Sequence, residues 1–243
     1  MLIGIRSLRI NILAPLLLLT PLIIAISSTS HAKFELPNWK RDAQGYRAAL
    51  TVAKGFKEPA LIYYNKKNCG WCRRLNNNYF RNRSVAAFLK NYSKVEINPE
   101  RSKKNASLAE KHDIKEYPTL LLSLPHVSSS KRNISPFARA RSMTPEEFIE
   151  HIQQQLASIY NEAAMEAFKQ VELQKAEKWQ LKAIENHQQS VHYLFQMGQI
   201  YDTWGSQTQL KAYQQKAANF YKKALQLDAN HELSKTALHN LRS

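Results

Sequence analysis

The chain has 243 residues, a formal net charge of +16 and two cysteines. Two cysteines exclude a disulfide-rich scaffold, so burial of apolar side chains must hold the fold together, and a chain of this length has enough of them. The positive charge favours acidic proteins or anionic surfaces as partners. Nucleic acid is not an expected partner, because the sequence contains no nucleic-acid-binding motif.

Residues 1–32 have the pattern of a secretory signal peptide. Arg6 and Arg9 precede an apolar run over residues 12–26, and small residues lead to Ala32. We expect cleavage after Ala32 and an exported, most simply periplasmic, mature chain, where disulfide chemistry is permitted. The alternative is an uncleaved membrane anchor, although the run is shorter than the ~20 residues that span a bilayer.

The mature chain begins with alternating helices and strands. The sequence predicts a helix over Tyr46–Phe56, a buried strand over Pro59–Tyr64 and a helical stretch over Cys72–Tyr79. Ser84 is placed to cap the next helix, over Val85–Tyr92.

The alternation continues with a strand over Lys94–Ile97, a helix over Ala106–His112 and a buried strand over Thr119–Leu124. A polar turn over Val127–Asn133 is predicted to lead into an edge strand over Ile134–Ala140. This order argues for a central sheet with helices on its faces.

A long helix follows. Thr144 and Glu147 form a capping box with proline in the first turn. The apolar stripe of the helix consists of Phe148, Ile152, Leu156 and Ile159.

From residue 158 onward the signals are only helical, with breaks predicted over Thr203–Ser206 and Leu227–His231. We therefore predict an α/β domain over residues 38–157 and an all-helical domain over residues 158–243. Residues 33–157 hold 23 basic and 11 acidic residues, so the basic surface belongs to the first half of the chain.

Both cysteines lie in the stretch NKKNCGWCRRL, as Cys69 and Cys72. A strand that passes through Cys-X-X-Cys into a helix puts the first sulfur at the helix N-terminus, where backbone N–H groups stabilise a thiolate. A stapling disulfide would close too short a loop to constrain the unfolded chain. A zinc site needs further ligands, and His112 and His126, which follow in this half, stand at no recognised spacing. Redox chemistry is therefore the preferred interpretation.

The charge around the pair also favours redox chemistry. Between residues 59 and 95 there is no Asp or Glu. Each cation in this stretch is expected to stabilise a nearby thiolate. These cations are Lys66, Lys67, Arg73, Arg74, Arg81, Arg83, Lys90 and Lys94.

Residues 38–157 resemble the thioredoxin-fold domain of exported, thioredoxin-like thiol-disulfide oxidoreductases. The resemblance rests on the strand PALIYY, the motif CGWC, and Tyr117-Pro118-Thr119 before the strand TLLLSL. It implies an α/β fold in which helices flank a central mixed sheet.

By this resemblance Cys69 is the nucleophile, Cys72 is the resolving cysteine and Pro118 is a cis-proline beside them. Trp71, Tyr117 and Pro118 are the expected substrate-binding residues. The resemblance implies exported protein thiols or disulfides as substrates and a redox partner protein that recycles the pair. It implies no metal, and no cofactor other than the redox-active disulfide itself.

One departure from the family concerns Tyr63. The family often has a buried carboxylate six residues before the first cysteine, thought to help the second cysteine to lose its proton, and here that position holds Tyr63. Another group, or water, must then help Cys72 to lose its proton.

The helical region resembles a tetratricopeptide repeat, with small residues where two helices touch and aromatic residues between them. The matching positions are Gly198, Tyr201, Ala217, Tyr221 and Ala224. A single repeat cannot bury its own faces, so Glu232–Leu241 is expected to cap it. The alternative is a plain helical bundle; both would bind a partner.

Two functions fit these features. The first is an exported thiol-disulfide oxidoreductase that acts on envelope proteins, with oxidation, isomerisation and reduction all open. The alternative is a non-catalytic envelope assembly or interaction factor that uses the fold and the helices as docking surfaces. The intact cysteine pair favours the first, because docking requires neither thiol.

Overall fold

The computed structural model describes residues 36, 38–127, 131–134 (backbone) and 143–241. The predicted signal peptide, residues 1–32, lies outside these residues. Among the helices described, none is both long enough and apolar enough to cross a membrane.

Five strands form one mixed sheet in the order β1-β3-β2-β4-β5. β2 runs parallel to β3 and antiparallel to β4, and β5 is antiparallel to β4. β2 and β4 are buried along their whole length because helices cover both faces. The strands are β1 Lys40–Arg41, β2 Ala60–Tyr64, β3 Ser93–Ile97, β4 Thr119–Ser123 and β5 Lys131–Ile134.

Helices α1 (Asp42–Phe56) and α4 (Lys103–Lys111) cover one face of the sheet, where Ile62 and Tyr64 contribute to an apolar cluster. The opposite face is covered by α2, α3 and the start of α5, and rings at 63, 80 and 148 meet there. The predicted thioredoxin fold, a mixed sheet flanked by helices, is confirmed. These three helices are α2 Gly70–Leu75, which continues as a π-helical segment over Asn76–Phe80, α3 Arg83–Phe88 and α5 Pro145–Lys169.

The chain then remains helical, as predicted. The predicted break at Thr203–Ser206 is wrong, because α7 runs through it and Gly205 packs against Gln214 of α8. The chain turns instead at Gln209, whose φ of 58° is left-handed. The helices are α6 Leu173–Asn186, α7 Val191–Thr208, α8 Lys211–Leu227 and α9 Glu232–Asn240.

α7 and α8 form a close hairpin. A Cβ on Gly198 would lie 2.3 Å from Cε1 of Tyr221, so only glycine allows this approach. Leu238 and Leu241 pack on the same cluster, which confirms the predicted cap. Repeat ancestry stays a prediction.

Three local predictions can be compared with the structure. The capping box at Thr144 is confirmed. The predicted cap Ser84 is wrong: Asn82 caps α3 and accepts from the N–H groups of Ser84 and Val85. The edge strand was predicted too late, since β5 ends at Ile134 and residues 135–140 lie outside the described residues.

The predicted domain boundary after residue 157 falls inside α5, which is continuous from Pro145 to Lys169. Its first half packs through Phe148 on Phe80, in the segment that continues α2, and its second half packs on α6. The division into two domains stays a prediction.

Candidate redox site

The cysteine pair lies between the end of β2 and the start of α2. β2 ends at Tyr64, Asn68 turns the backbone with a left-handed φ of 59°, and Cys69 is the N-cap of α2. The two sulfurs form a disulfide of 2.03 Å. Both predicted redox residues are thus joined at the start of a helix.

The two cysteines differ in exposure and in hydrogen bonding. Cys69 is half-buried, whereas Cys72 is 4% exposed. The backbone N–H of Cys72 donates to Sγ of Cys69 over 3.0 Å. A thiolate at Cys69 can accept the same bond, and the helix dipole adds to this stabilisation. The geometry therefore separates an accessible sulfur from a sheltered one.

The loop before β4 faces the pair. Its Tyr117–Pro118 peptide bond is cis, as predicted. The carbonyl oxygen of Tyr117 lies 3.7 Å from Sγ of Cys69, and Thr119 Oγ1 donates to the carbonyl of Glu116 over 2.7 Å. The structure thus brings Cys69, Cys72, Tyr117 and Pro118 into one site.

Two residues beside the pair carry aromatic rings, and a cation lies over each ring. Trp71 is 47% exposed, and the Arg74 guanidinium lies over its ring at 5.3 Å. The Lys66 ammonium lies 4.3 Å from the centre of the Tyr117 ring. An extended chain that reached Cys69 would meet apolar ring surface and positive charge together.

The eight cations do not all lie at this site. Lys94 is in register with Leu61, three residues before the end of β2, or roughly 10 Å back along the strand. Its Nζ donates to the carbonyl of Leu89 over 2.7 Å, and desolvation lowers its pKa. The Lys94 ammonium is therefore engaged away from the end of β2, and the stabilisation of a thiolate by each cation stays a prediction.

Tyr63 lies directly beneath the pair. Its hydroxyl donates to the carbonyl of Cys72 over 3.4 Å, and its ring packs against Trp39 and Phe80. Burial raises the pKa of Tyr63 well above its ordinary value, and the nearby carboxylate of Glu96 adds to this effect. Tyr63 therefore stays protonated and is a donor, not a base.

Glu96 is the residue that sequence reasoning missed. The acid-free stretch ends at Val95, and Glu96 follows it immediately. The side chain belongs to β3 and is buried on the face of the sheet that α2 covers. A charged residue inside a predicted strand was the available signal, because a buried carboxylate requires a specific environment.

The histidines considered for a metal site lie elsewhere. His112 is on the opposite face of the sheet, where Nδ1 contacts the Tyr64 hydroxyl at 2.7 Å and Nε2 contacts that of Tyr46 at 3.1 Å. His126 lies beside Trp179, with ring centres 6.2 Å apart. Neither is placed beside the cysteine pair.

No protein-family model and no curated protein matches the chain. Solved structures similar to it include a thioredoxin from Thermus thermophilus, with 16% identity, 48% of this chain and 86% of that chain covered, and a TM-score of 0.38. Others are a DsbH oxidoreductase (14% identity, 47% and 81% covered, TM-score 0.40) and a disulphide isomerase from Xylella fastidiosa Temecula1 (22% identity, 34% and 65% covered, TM-score 0.31). Likeness at this level carries no argument about activity, so the fold assignment rests on the strand order and on the position of the site.

Proposed function

We propose that the protein is a thiol-disulfide oxidoreductase that exchanges disulfides with exported proteins through Cys69 and Cys72. The observation that carries this proposal is the placement of Cys69, an accessible sulfur at a helix N-terminus that accepts the Cys72 N–H over 3.0 Å. Such a position lowers the pKa of a thiol and raises the fraction of reactive thiolate.

The reaction has two exchange steps. The Cys69 thiolate attacks one sulfur of a client disulfide, forms a mixed disulfide and releases the other client sulfur as a thiolate. The Cys72 thiol then loses its proton and attacks Sγ of Cys69, which releases the second client thiolate. The pair ends oxidised and the client reduced; the reverse sequence oxidises a client dithiol. A redox partner protein must restore the starting state.

The cis-proline loop supports a role in client binding. The Tyr117 carbonyl lies 3.7 Å from Sγ of Cys69, and the neighbouring Trp71 ring is exposed, so an extended client backbone that reached Cys69 could contact both. Lys66 and Arg74 add positive charge to the same rings, which favours acidic clients or an anionic surface. We propose Trp71, Tyr117 and Pro118 as the substrate-binding residues.

Export to the periplasm and client binding by the helical region belong to the same proposal. The signal-peptide pattern of residues 1–32 supports export. The hairpin of α7 and α8, whose sequence resembles a tetratricopeptide repeat, supports a binding role.

A turnover assay tests the proposal. Purified reduced protein should reduce insulin disulfides, with Cys69→Ser inactive and Glu110→Gln, an exposed change on α4, fully active. Equilibration with glutathione would then give the reduction potential of the cysteine pair and decide between a reducing and an oxidising role. A folded wild-type protein that shows no exchange would favour the docking alternative.

A further inference from the structure

A buried carboxylate lies on the side of the sheet that carries the redox pair. Glu96 of β3 is in parallel register with Tyr63 of β2, so the two side chains point to the same face. Glu96 is only 4% exposed. Glutamate is rarely buried to this degree, because its charge loses hydration that must be replaced.

The hydrogen bonds of Glu96 are incomplete. Its Oε1 accepts from Nδ2 of Asn65 over 2.8 Å and from Arg101 over 3.1 Å. Its Oε2 is buried and has no hydrogen-bond donor among the described residues; Nε of Arg41 lies 4.0 Å away, beyond hydrogen-bond distance. In a purely structural ion pair, both carboxylate oxygens would be expected to accept hydrogen bonds.

The groups that face Glu96 leave its charge only partly balanced. Arg41 and Arg101 are the cations, but both are partly exposed, and Arg101 also pairs with Asp42 over 3.5 Å. Water screens partly exposed charges more than a buried one. Tyr63 and Asn65 are neutral. We therefore expect part of the Glu96 charge to remain uncompensated on its inner side.

Tyr63 and Asn65 connect Glu96 to the redox pair. The Glu96 carboxylate adds to the rise in the pKa of Tyr63, after the larger effect of burial. The same Tyr63 hydroxyl donates to the carbonyl of Cys72. Asn65, two residues further along the chain, is held by Glu96 at the beginning of the loop that leads to Cys69.

We propose that Glu96 is a positioning residue for the redox pair: it orders Asn65 and Tyr63 behind Cys72, and its charge opposes a thiolate on the two sulfurs. The disulfide is then a weaker oxidant than the cations around Cys69 alone would make it. Reduction adds two electrons and two protons to the disulfide and gives two thiols. An anion beneath them disfavours the loss of a proton from either thiol.

The inference deepens the proposed function and rests on it for its role in turnover, but its test needs no client. The rate of alkylation of Cys69 is measured against pH in the reduced protein, with the labelled peptide identified by mass spectrometry. In Glu96→Gln the midpoint of this profile should fall by about half a pH unit or more. At a fixed glutathione ratio and a pH above this midpoint, the oxidised-to-reduced ratio of the pair should fall about threefold, as that shift requires.

Arg101→Gln provides a change of the opposite sign. It removes a cation from Glu96, so the midpoint of the Cys69 profile should rise. If the substitutions only loosened the site, the midpoint of the Cys69 profile would move in the same direction in both variants. Glu110→Gln is the matched carboxylate control and should leave the profile unchanged.

Midpoints that stay the same, or that move together, in folded Glu96→Gln and Arg101→Gln would overturn the inference. Should Glu96→Gln fail to fold, an unchanged or lowered midpoint in Arg101→Gln alone would overturn it. A protein inactive on insulin that still shows the two opposite shifts would refute the proposed function and leave this inference standing.

Discussion

Tyr160 of α5 stacks on Trp179 of α6, with ring centres 5.9 Å apart and planes 21° from parallel. The Trp179 ring also lies beside His126, in the turn that follows β4. This arrangement joins the first helix of the helical region to the end of a central strand. The contact between the sheet and the helices is therefore aromatic and contains a titratable group.

The His126 contact predicts a pH-dependent stability. Burial lowers the pKa of His126, and Lys178 and Lys57 lower it further. The unfolded chain therefore binds the proton at a higher pH than the folded protein does. The contribution of His126 to the free energy of unfolding is fully present above about pH 6.5 and is lost as the pH falls through the folded pKa. His151 acts in the same direction because burial also lowers its pKa.

Urea unfolding at several pH values measures the slope of the free energy of unfolding against pH. His126→Gln should reduce the loss of stability between about pH 7 and pH 5.5, and Lys178→Gln should reduce it in part. A slope equal to that of the wild type in His126→Gln would contradict the prediction.

A second prediction concerns Gly198. Its replacement by alanine places a methyl group 2.3 Å from the ring of the buried Tyr221, which has no room to move. Gly198→Ala should lower the free energy of unfolding by about 1–3 kcal/mol. Gly55→Ala is the control: a Cβ there meets no described atom within 4 Å, so helix propensity should raise stability by up to about 1 kcal/mol. Equal effects of the two changes on the urea midpoint would show that the hairpin is not packed this closely.

A third prediction follows from the pairing of Tyr63 with Glu96. Tyr63→Asp, which restores the carboxylate that the family often has, would put two buried carboxylates side by side in the register. We expect a loss of about 3 kcal/mol or more, because the second charge is unpaired. Tyr63→Asp with Glu96→Gln should recover part of the loss in urea unfolding. Tyr63→Asp as stable as the wild type would mean that the two side chains do not share an environment.

Much of the fold could be predicted because its signals are local. Thr144 and Glu147 form the expected capping box, and Tyr117–Pro118 is cis beside the pair. The cap of α3 was placed at Ser84 instead of Asn82, two residues too late, since both residue types can cap. The sequence predicts a break at Gly205 because glycine disfavours helices, but close packing on Gln214 accounts for this glycine.

The environment of the site was harder to predict because it depends on pairing between distant segments. Glu96 is 33 residues from Tyr63 in sequence, and only the parallel register of β2 and β3 makes them neighbours. Lys94, counted as a cation near the thiolate, is set back along the strand by the same register. Charge counted along the chain therefore gave a field that was too positive.

A fourth prediction concerns the two thiols. In the reduced protein Cys69 should react with iodoacetamide faster than Cys72 at neutral pH, because Cys69 is accessible and caps α2 whereas Cys72 is buried. Mass spectrometry of the alkylated peptides gives both rates. Equal rates, or a Cys69 profile like that of a free thiol, would contradict the prediction.

The most direct test of the exchange mechanism is to trap the mixed disulfide. Cys72→Ser removes the resolving thiol and leaves the nucleophile at the start of α2. Non-reducing electrophoresis of acid-quenched extracts should then show reductant-sensitive adducts of Cys72→Ser with client proteins, and none of this type for Cys69→Ser. If Cys72→Ser forms no adducts while Cys69 remains open to alkylation, the exchange mechanism is contradicted and the docking function takes its place.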